Sequence, residues 1–232
     1  MKVILIAHTQ TKNWTIEDLG LIRETFAVKD ADHLAEFAGR NCYQSFNRPN
    51  PATRDNAAYL AHILKQSHES VLEHASATFY IEASRSVLAE LTRHRHLSFS
   101  VVSQRYVDAT KLGRHIPPAV DALPEIAQPH VLGILAKAHA DALDAYEELV
   151  KAFSAEGLPR KQAREAARAV IPNMTDSPMV VTGNHRAWRY VIQKRWHEAA
   201  DAEIRTLAGE LLRQLREIAP NTYQDLPEEP YQ

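Results

Sequence analysis

Cysteine is almost absent from this chain: its 232 residues include one, Cys42. No internal disulfide can form, so a reducing cytosol is the expected compartment. Glycine is scarce as well. The seven glycines are so dispersed that the nearest pair, Gly20 and Gly39, stand nineteen positions apart. That spacing excludes the glycine-rich phosphate loops of the P-loop and Rossmann types. H-E-x-x-H, C-x-x-C and G-x-S-x-G are also missing, which removes the motif basis for a metalloprotease, a zinc ribbon or an α/β-hydrolase. No apolar run approaches membrane-spanning length. The run Val3–Ala7 is too short for a signal-peptide core, and no cleavage pattern follows it. A dominant charge sign is lacking too. A net charge of −2 and a pI near 6.6 argue against a general nucleic-acid binder.

What is present suits a soluble globular protein. Hydrophobic residues make up 45% and charged residues 24%, enough to bury a core. The length fits one domain, or at most two small ones, and a single domain spanning 1–232 is expected. Val3–Ala7 reads as a first strand. An amphipathic helix is expected from about Asp30 to Cys42, with Leu34, Phe37 and Ala38 in phase. Residues 47–51 read as a turn or loop. A helix starting at Thr53 or Asp55 carries Tyr59, Leu60, Ile63 and Leu64 on one face. Residues 75–82 cluster β-branched and aromatic types as a strand does. Ser84 suits the N-cap of a short helix through Val87, Leu88 and Leu91, and 100–107 reads as extended. The second half reads as helical. A long helix is expected over about 124–155, stopped by Gly157. A second has Pro159 in its first turn and ends by Pro172, and a last spans 186–218 before an acidic, proline-containing tail. The class is therefore α+β, with N-terminal strands in a mostly antiparallel sheet and a largely helical C-terminal half.

Residues 93–106 concentrate the chemistry: Arg93, His94, Arg95, His96, Ser98, Ser100, Ser103, Gln104 and Arg105 fall within fourteen positions. Guanidinium forks match phosphate oxygens, and serine hydroxyls can complete such a shell. Composition alone leaves two readings, a solvated basic helix end and a site for a small anion. The ordered mixture of Arg, Ser and Gln favours the site.

The order of these residues resembles R-H-R-x-x-S-x-x-x-x-S-x-R, the signature of the flavin-dependent thymidylate synthases (the ThyX family). Arg93, His94, Arg95, Ser98, Ser103 and Arg105 fill every fixed position. Upstream, His68-Glu69-Ser70-Val71-Leu72-Glu73-His74 is similar to the family's H-E-[ST]-x-x-E-H segment, and 40–45 resembles a further loop. Downstream, 167–172 is similar to A-R-x-x-[LI]-P. Asn184-His185-Arg186, Arg195 and 203–205 fall at matching distances. The likeness runs from about residue 38 to 206.

The resemblance implies a ThyX-type fold and an enzyme that makes dTMP from dUMP. Methylenetetrahydrofolate would supply the carbon, NADPH the reducing power and bound FAD the hydride relay. It further implies a homotetramer with active sites between subunits. From charge, cysteine count and the lack of a long apolar run, a cytoplasmic protein with no nucleic-acid or membrane partner is expected, and no resident metal. By motif position, Glu90, Leu91, Thr92, Arg93, Val101, Val102, Ser103, Gln104, Arg105, Arg168 and Arg195 are implied for dUMP. Ser103, Arg105 and Arg168 would hold its phosphate. Ser70, Arg93, His94, Arg95, Val101, Asn184, His185, Arg186 and Tyr190 are implied for FAD. Arg195 would be catalytic, stabilising the N3-deprotonated uracil. Val101, Glu90 and Tyr190 depart from the residues common in the family; Tyr190 suits either stacking or packing. Of the stripe Arg160, Arg164 and Arg168, only Arg168 gains a role, the others reading as a solvated face. Trp188 and Trp196 read as core or subunit contacts.

Two other classes compete. A non-catalytic nucleotide- or RNA-binding module would use the same Arg/His/Ser cluster without flavin. A metal-dependent hydrolase would draw on His68, Glu69, Glu73, His74, His94 and His96, although their spacing does not form a convincing ligand set.

Overall fold

The short apolar run Val3–Ala7 at the start of the chain forms strand β1 (Lys2–His8). The computed structural model describes residues 1–21, 28–47 and 50–232. The expected turn at 47–51 falls partly on Arg48 and Pro49, outside the described residues. A short helix α1 (Asn13–Asp18) occupies the polar stretch after β1. Helix α2 (Asp30–Tyr43) lies where its periodicity placed it, and Gln44 closes it in the left-handed conformation. Helix α3 (Asn56–Lys65) starts after Asp55, whose carboxylate accepts from the Ala58 amide at 2.7 Å. Strand β2 (Ser76–Glu82) and helix α4 (Arg85–Leu91) follow, with Ser84 capping α4.

The next elements depart from expectation. Strand β3 (Ser98–Val101) is displaced toward the N-terminus of the expected 100–107 stretch. Beyond it the chain turns, and the Ser103 carbonyl accepts from the amides of Tyr106 and Val107. Helix α5 (Gln128–Ala155) begins four residues late, because Pro124–Ala127 forms a turn. Pro159 is the residue before helix α6 (Arg160–Ala167), not part of its first turn. Strand β4 (Met179–Asn184) breaks the helical second half. The expected 186–218 helix is two, α7 (His185–Arg195) and α8 (Ala202–Ile218). Asp201 starts the second by accepting from the Glu203 amide at 3.0 Å.

Among the described residues the strands form a four-stranded antiparallel sheet in the order β1-β2-β4-β3, and the fold is α+β. The outer edge of β1 is not left open. The Gln214 side chain on α8 accepts from the Leu5 amide and donates to the Val3 carbonyl, both at 2.8 Å, occupying hydrogen-bonding groups that could template another strand.

Contacts divide the chain into two compact units. The first comprises residues 1–2, 81–93 and 99–180. In it α5 and α6 pack around Ala109, Tyr146 and Ala167, with Leu143, Leu149, Val150 and Ile171 beside them. The second comprises residues 3–80, 94–98 and 181–232. One of its cores joins Ala35, Tyr59, Leu60, Ile63, Leu64, Val71 and Leu72. Each such buried aliphatic contributes roughly 1.5–3 kcal/mol of transfer free energy. Trp188 is also buried there, edge-on to Phe79, with its indole N–H on the Ala77 carbonyl at 3.0 Å. Its role is core packing.

Candidate active site

In the second unit His94 is buried and Arg95 beside it is exposed; Arg93, also exposed, is the last residue of the first unit's 81–93 segment. Arg195, the last residue of α7, donates from Nε to His94 Nε2 at 3.0 Å. Burial, followed by the Arg195 charge, lowers the His94 pKa to about 4. The imidazole is therefore neutral near pH 7. Its accepting Nε2 requires the proton on Nδ1, and that atom is buried without a hydrogen-bond partner in the described structure. Tyr190, one α7 turn before Lys194, is half-exposed and meets the His94 ring edge-on at 5.6 Å.

The start of α7 carries three more implied residues. Asn184 is its N-cap, accepting from the Ala187 amide at 2.8 Å. His185 is buried, its Nδ1 2.9 Å from the Tyr223 hydroxyl, and burial lowers its pKa to about 4. Its Nε2 also lacks a partner in the described structure. Arg186 is exposed and bonds Glu73, with Glu69 at 4.0 Å. Glu69 also lies 3.5 Å from buried Arg189. The carboxylates of the His68–His74 segment thus take arginines as partners. Among the described residues no group of three or more His, Cys, Asp or Glu is arranged to hold a metal ion. Ser70 sits exposed in the short 3₁₀ turn Glu69–Glu73.

The first unit collects the residues implied for dUMP, apart from Arg195. Leu91 is fully buried, so its side chain belongs to the core and only its backbone could face a ligand. Thr92 bonds back to the Ala89 carbonyl at 3.1 Å. Ser103, Gln104 and Arg105 occupy the turn after β3. Gln104 is buried with Nε2 unpartnered in the described structure, while Arg105 is exposed with Glu165 3.9 Å away. Val101 and Val102 are half-buried, and Arg168 is exposed in the 3₁₀ turn after α6.

Arg164 corrects the expectation of a solvated arginine face. Its Nη1 donates to the Tyr106 carbonyl at 2.6 Å and its Nη2 to Asp108 at 2.7 Å. One guanidinium thereby ties α6 to the turn bearing Ser103 and Arg105. The four-residue spacing from Arg168 hinted at a shared helix face; the partners 56 and 58 positions away could not be read from spacing. Arg189 is likewise a residue that sequence reasoning passed over.

Exposed guanidinium groups and turn hydroxyls are group types that pair with phosphate oxygens. Residues 21–221 match the family described as thymidylate synthase complementing protein, and the chain belongs to that family, the flavin-dependent thymidylate synthases. It is 67% identical over 231 residues to a protein of Mycobacterium phage D29 named probable flavin-dependent thymidylate synthase, covering 100% of this chain and 98% of the relative. A protein of the same name from Mycobacterium phage L5 is 63% identical over 241 residues, covering 100% and 99%. The flavin-dependent thymidylate synthase of Mycobacterium avium (strain 104) is 50% identical over 200 residues, covering 83% and 78%. Among the described residues no helix is long and apolar enough to cross a membrane.

Proposed function

We propose that this chain is a flavin-dependent thymidylate synthase. It converts dUMP to dTMP with methylenetetrahydrofolate as carbon donor, FAD as hydride carrier and NADPH as reductant. The observation that carries the reading is the Arg195–His94 pair, because it joins the signature segment to the implied catalytic arginine by one hydrogen bond. Bound FAD would supply two-electron chemistry that no side chain can. The residues fit it: two buried imidazoles, His94 and His185, each retain an unpartnered nitrogen, and Arg186 and Arg95 are exposed cations. These, with Ser70, Asn184, Tyr190, Arg93 and Val101, are the residues assigned to FAD.

The dUMP phosphate is assigned to Ser103, Arg105 and Arg168, and the rest of the nucleotide to residues 90–93, Val101, Val102 and Gln104. Arg195 holds a fixed positive charge at any working pH, so it can stabilise negative charge on a uracil ring deprotonated at N3. The enzyme is read as a cytoplasmic homotetramer with shared active sites. Arg195→Ala is expected to abolish dTMP formation while the oligomer stays intact by size-exclusion chromatography. Normal turnover in that variant would reject the assigned role.

A further inference from the structure

The geometry points to His94 as the positioning residue of Arg195: its imidazole Nε2 accepts the guanidinium Nε–H and so fixes the plane that Arg195 presents to the pyrimidine. This inference rests on the functional reading above.

Arg195 ends α7, and the chain leaves the helix at Trp196. A long side chain at a helix end has several rotamers of similar energy, so a contact at its Nε edge is an effective way to select one. His94 suits that task because it is itself held. It is buried at 7% exposure, its own carbonyl accepts from the Leu97 amide at 3.3 Å, and the Tyr190 ring packs against it in a T-shaped contact. A rigid acceptor transfers its order to the group it holds, whereas a mobile one would not. The chemistry is directional as well. An Nε2–H tautomer or an imidazolium would point a proton at Arg195 Nε–H, so only the Nδ1–H tautomer makes this bond. Burial next to a permanent cation keeps the ring neutral, as its lowered pKa records.

The test has two parts on the full-length protein. The first does not depend on turnover. In ¹⁵N-histidine NMR at pH 7, His94 should appear as the Nδ1–H tautomer with a hydrogen-bonded Nε2, and Arg195→Ala should shift that resonance. An imidazolium, an Nε2–H tautomer or an unmoved resonance overturns the pairing, whatever product the enzyme makes. The second part uses kinetics at saturating FAD, with flavin affinity measured separately. His94→Phe keeps bulk without an acceptor and should lower kcat on the order of 100-fold, the cost of misplacing a reacting group by about 1 Å, with a much smaller change in the KM for dUMP. His94→Gln, which returns an acceptor near Nε2, should recover most of that loss. His94→Phe should add little to Arg195→Lys, since the two act as a unit. Equal impairment of Phe and Gln variants, or full additivity with Arg195→Lys, would overturn the inference. Failure of wild-type protein to make dTMP would instead reject the functional reading and leave the NMR result to decide the pairing.

Discussion

Arg189 and Asp225 form a two-pronged ion pair, with Nη1–Oδ1 and Nη2–Oδ2 both at 2.7 Å. The same guanidinium donates to the Thr222 carbonyl at 2.6 Å. A residue buried on α7 therefore anchors the segment after Pro220, which the sequence suggested was a mere tail. Thr222 and Tyr223 are fully buried there, and Tyr223 contacts His185. Asp225→Ala leaves a buried charge short of partners and is expected to cost about 1–3 kcal/mol, read as a lower denaturation midpoint.

Acid stability should show two opposing contributions. His94 and His185, lowered by burial to about 4, stay neutral in the fold, whereas an unfolded histidine takes its proton near 6.5. Their stabilisation is present above pH 6.5 and is lost as pH falls through about 4. Asp32 behaves oppositely: burial raises it from 3.8 to about 6, against the hydrogen bonds from Thr222 and Asn221. Its proton favours the fold below pH 3.8, and that stability fades as pH rises through 6. Asp32→Asn is expected to make the loss of stability between pH 6 and pH 4 steeper than in wild type, measured by urea titration across that range. A shallower loss would contradict these assignments.

Arg164 is predicted to act on the nucleotide pocket without touching the ligand. Arg164→Ala frees the turn that carries Ser103 and Arg105 and should raise the KM for dUMP about tenfold, a loss of uniform binding. Flavin affinity should be unchanged. Initial-rate kinetics and a flavin titration check both statements.

Gly183 lies in β4 where a Cβ would run into Leu97 Cδ2 and approach the Trp188 indole. Gly183→Ala is expected to destabilise by about 1–3 kcal/mol through overpacking, seen in thermal unfolding.

Cys42 is exposed on α2, its Sγ only 3.3 Å from the Ala38 carbonyl of its own helix. A serine can replace it there, so Cys42→Ser should retain wild-type turnover. An inactive but folded variant would mean that the thiol takes part in chemistry.

Elements with a clear local signature were legible in the sequence. Ser84 and Asp55 announced α4 and α3 because capping is a contact over three residues. β1 showed its short apolar run, β2 its cluster of β-branched and aromatic residues, and α2 its helical period. β4 was missed although its burial alternates strictly, because six residues between Pro178 and a helix carry too few periods to stand out. The α7–α8 break was missed because residues 196–201 contain neither glycine nor proline; the Asp201 cap was the available signal. The site divided similarly. The ordered Arg/His/Ser signature marked the segment, but which arginine bonds which partner depends on chain crossings. Arg195 meets His94 across 101 positions, and Arg186 meets Glu73 across 113, distances over which spacing carries no information.

Supplying purified protein with FAD, NADPH, methylenetetrahydrofolate and dUMP and measuring dTMP by chromatography decides whether this chain makes thymidylate. Product that requires all four, and that Arg195→Ala fails to make, is the predicted result. A flavin-loaded protein that oxidises NADPH yet forms no dTMP from dUMP would contradict it.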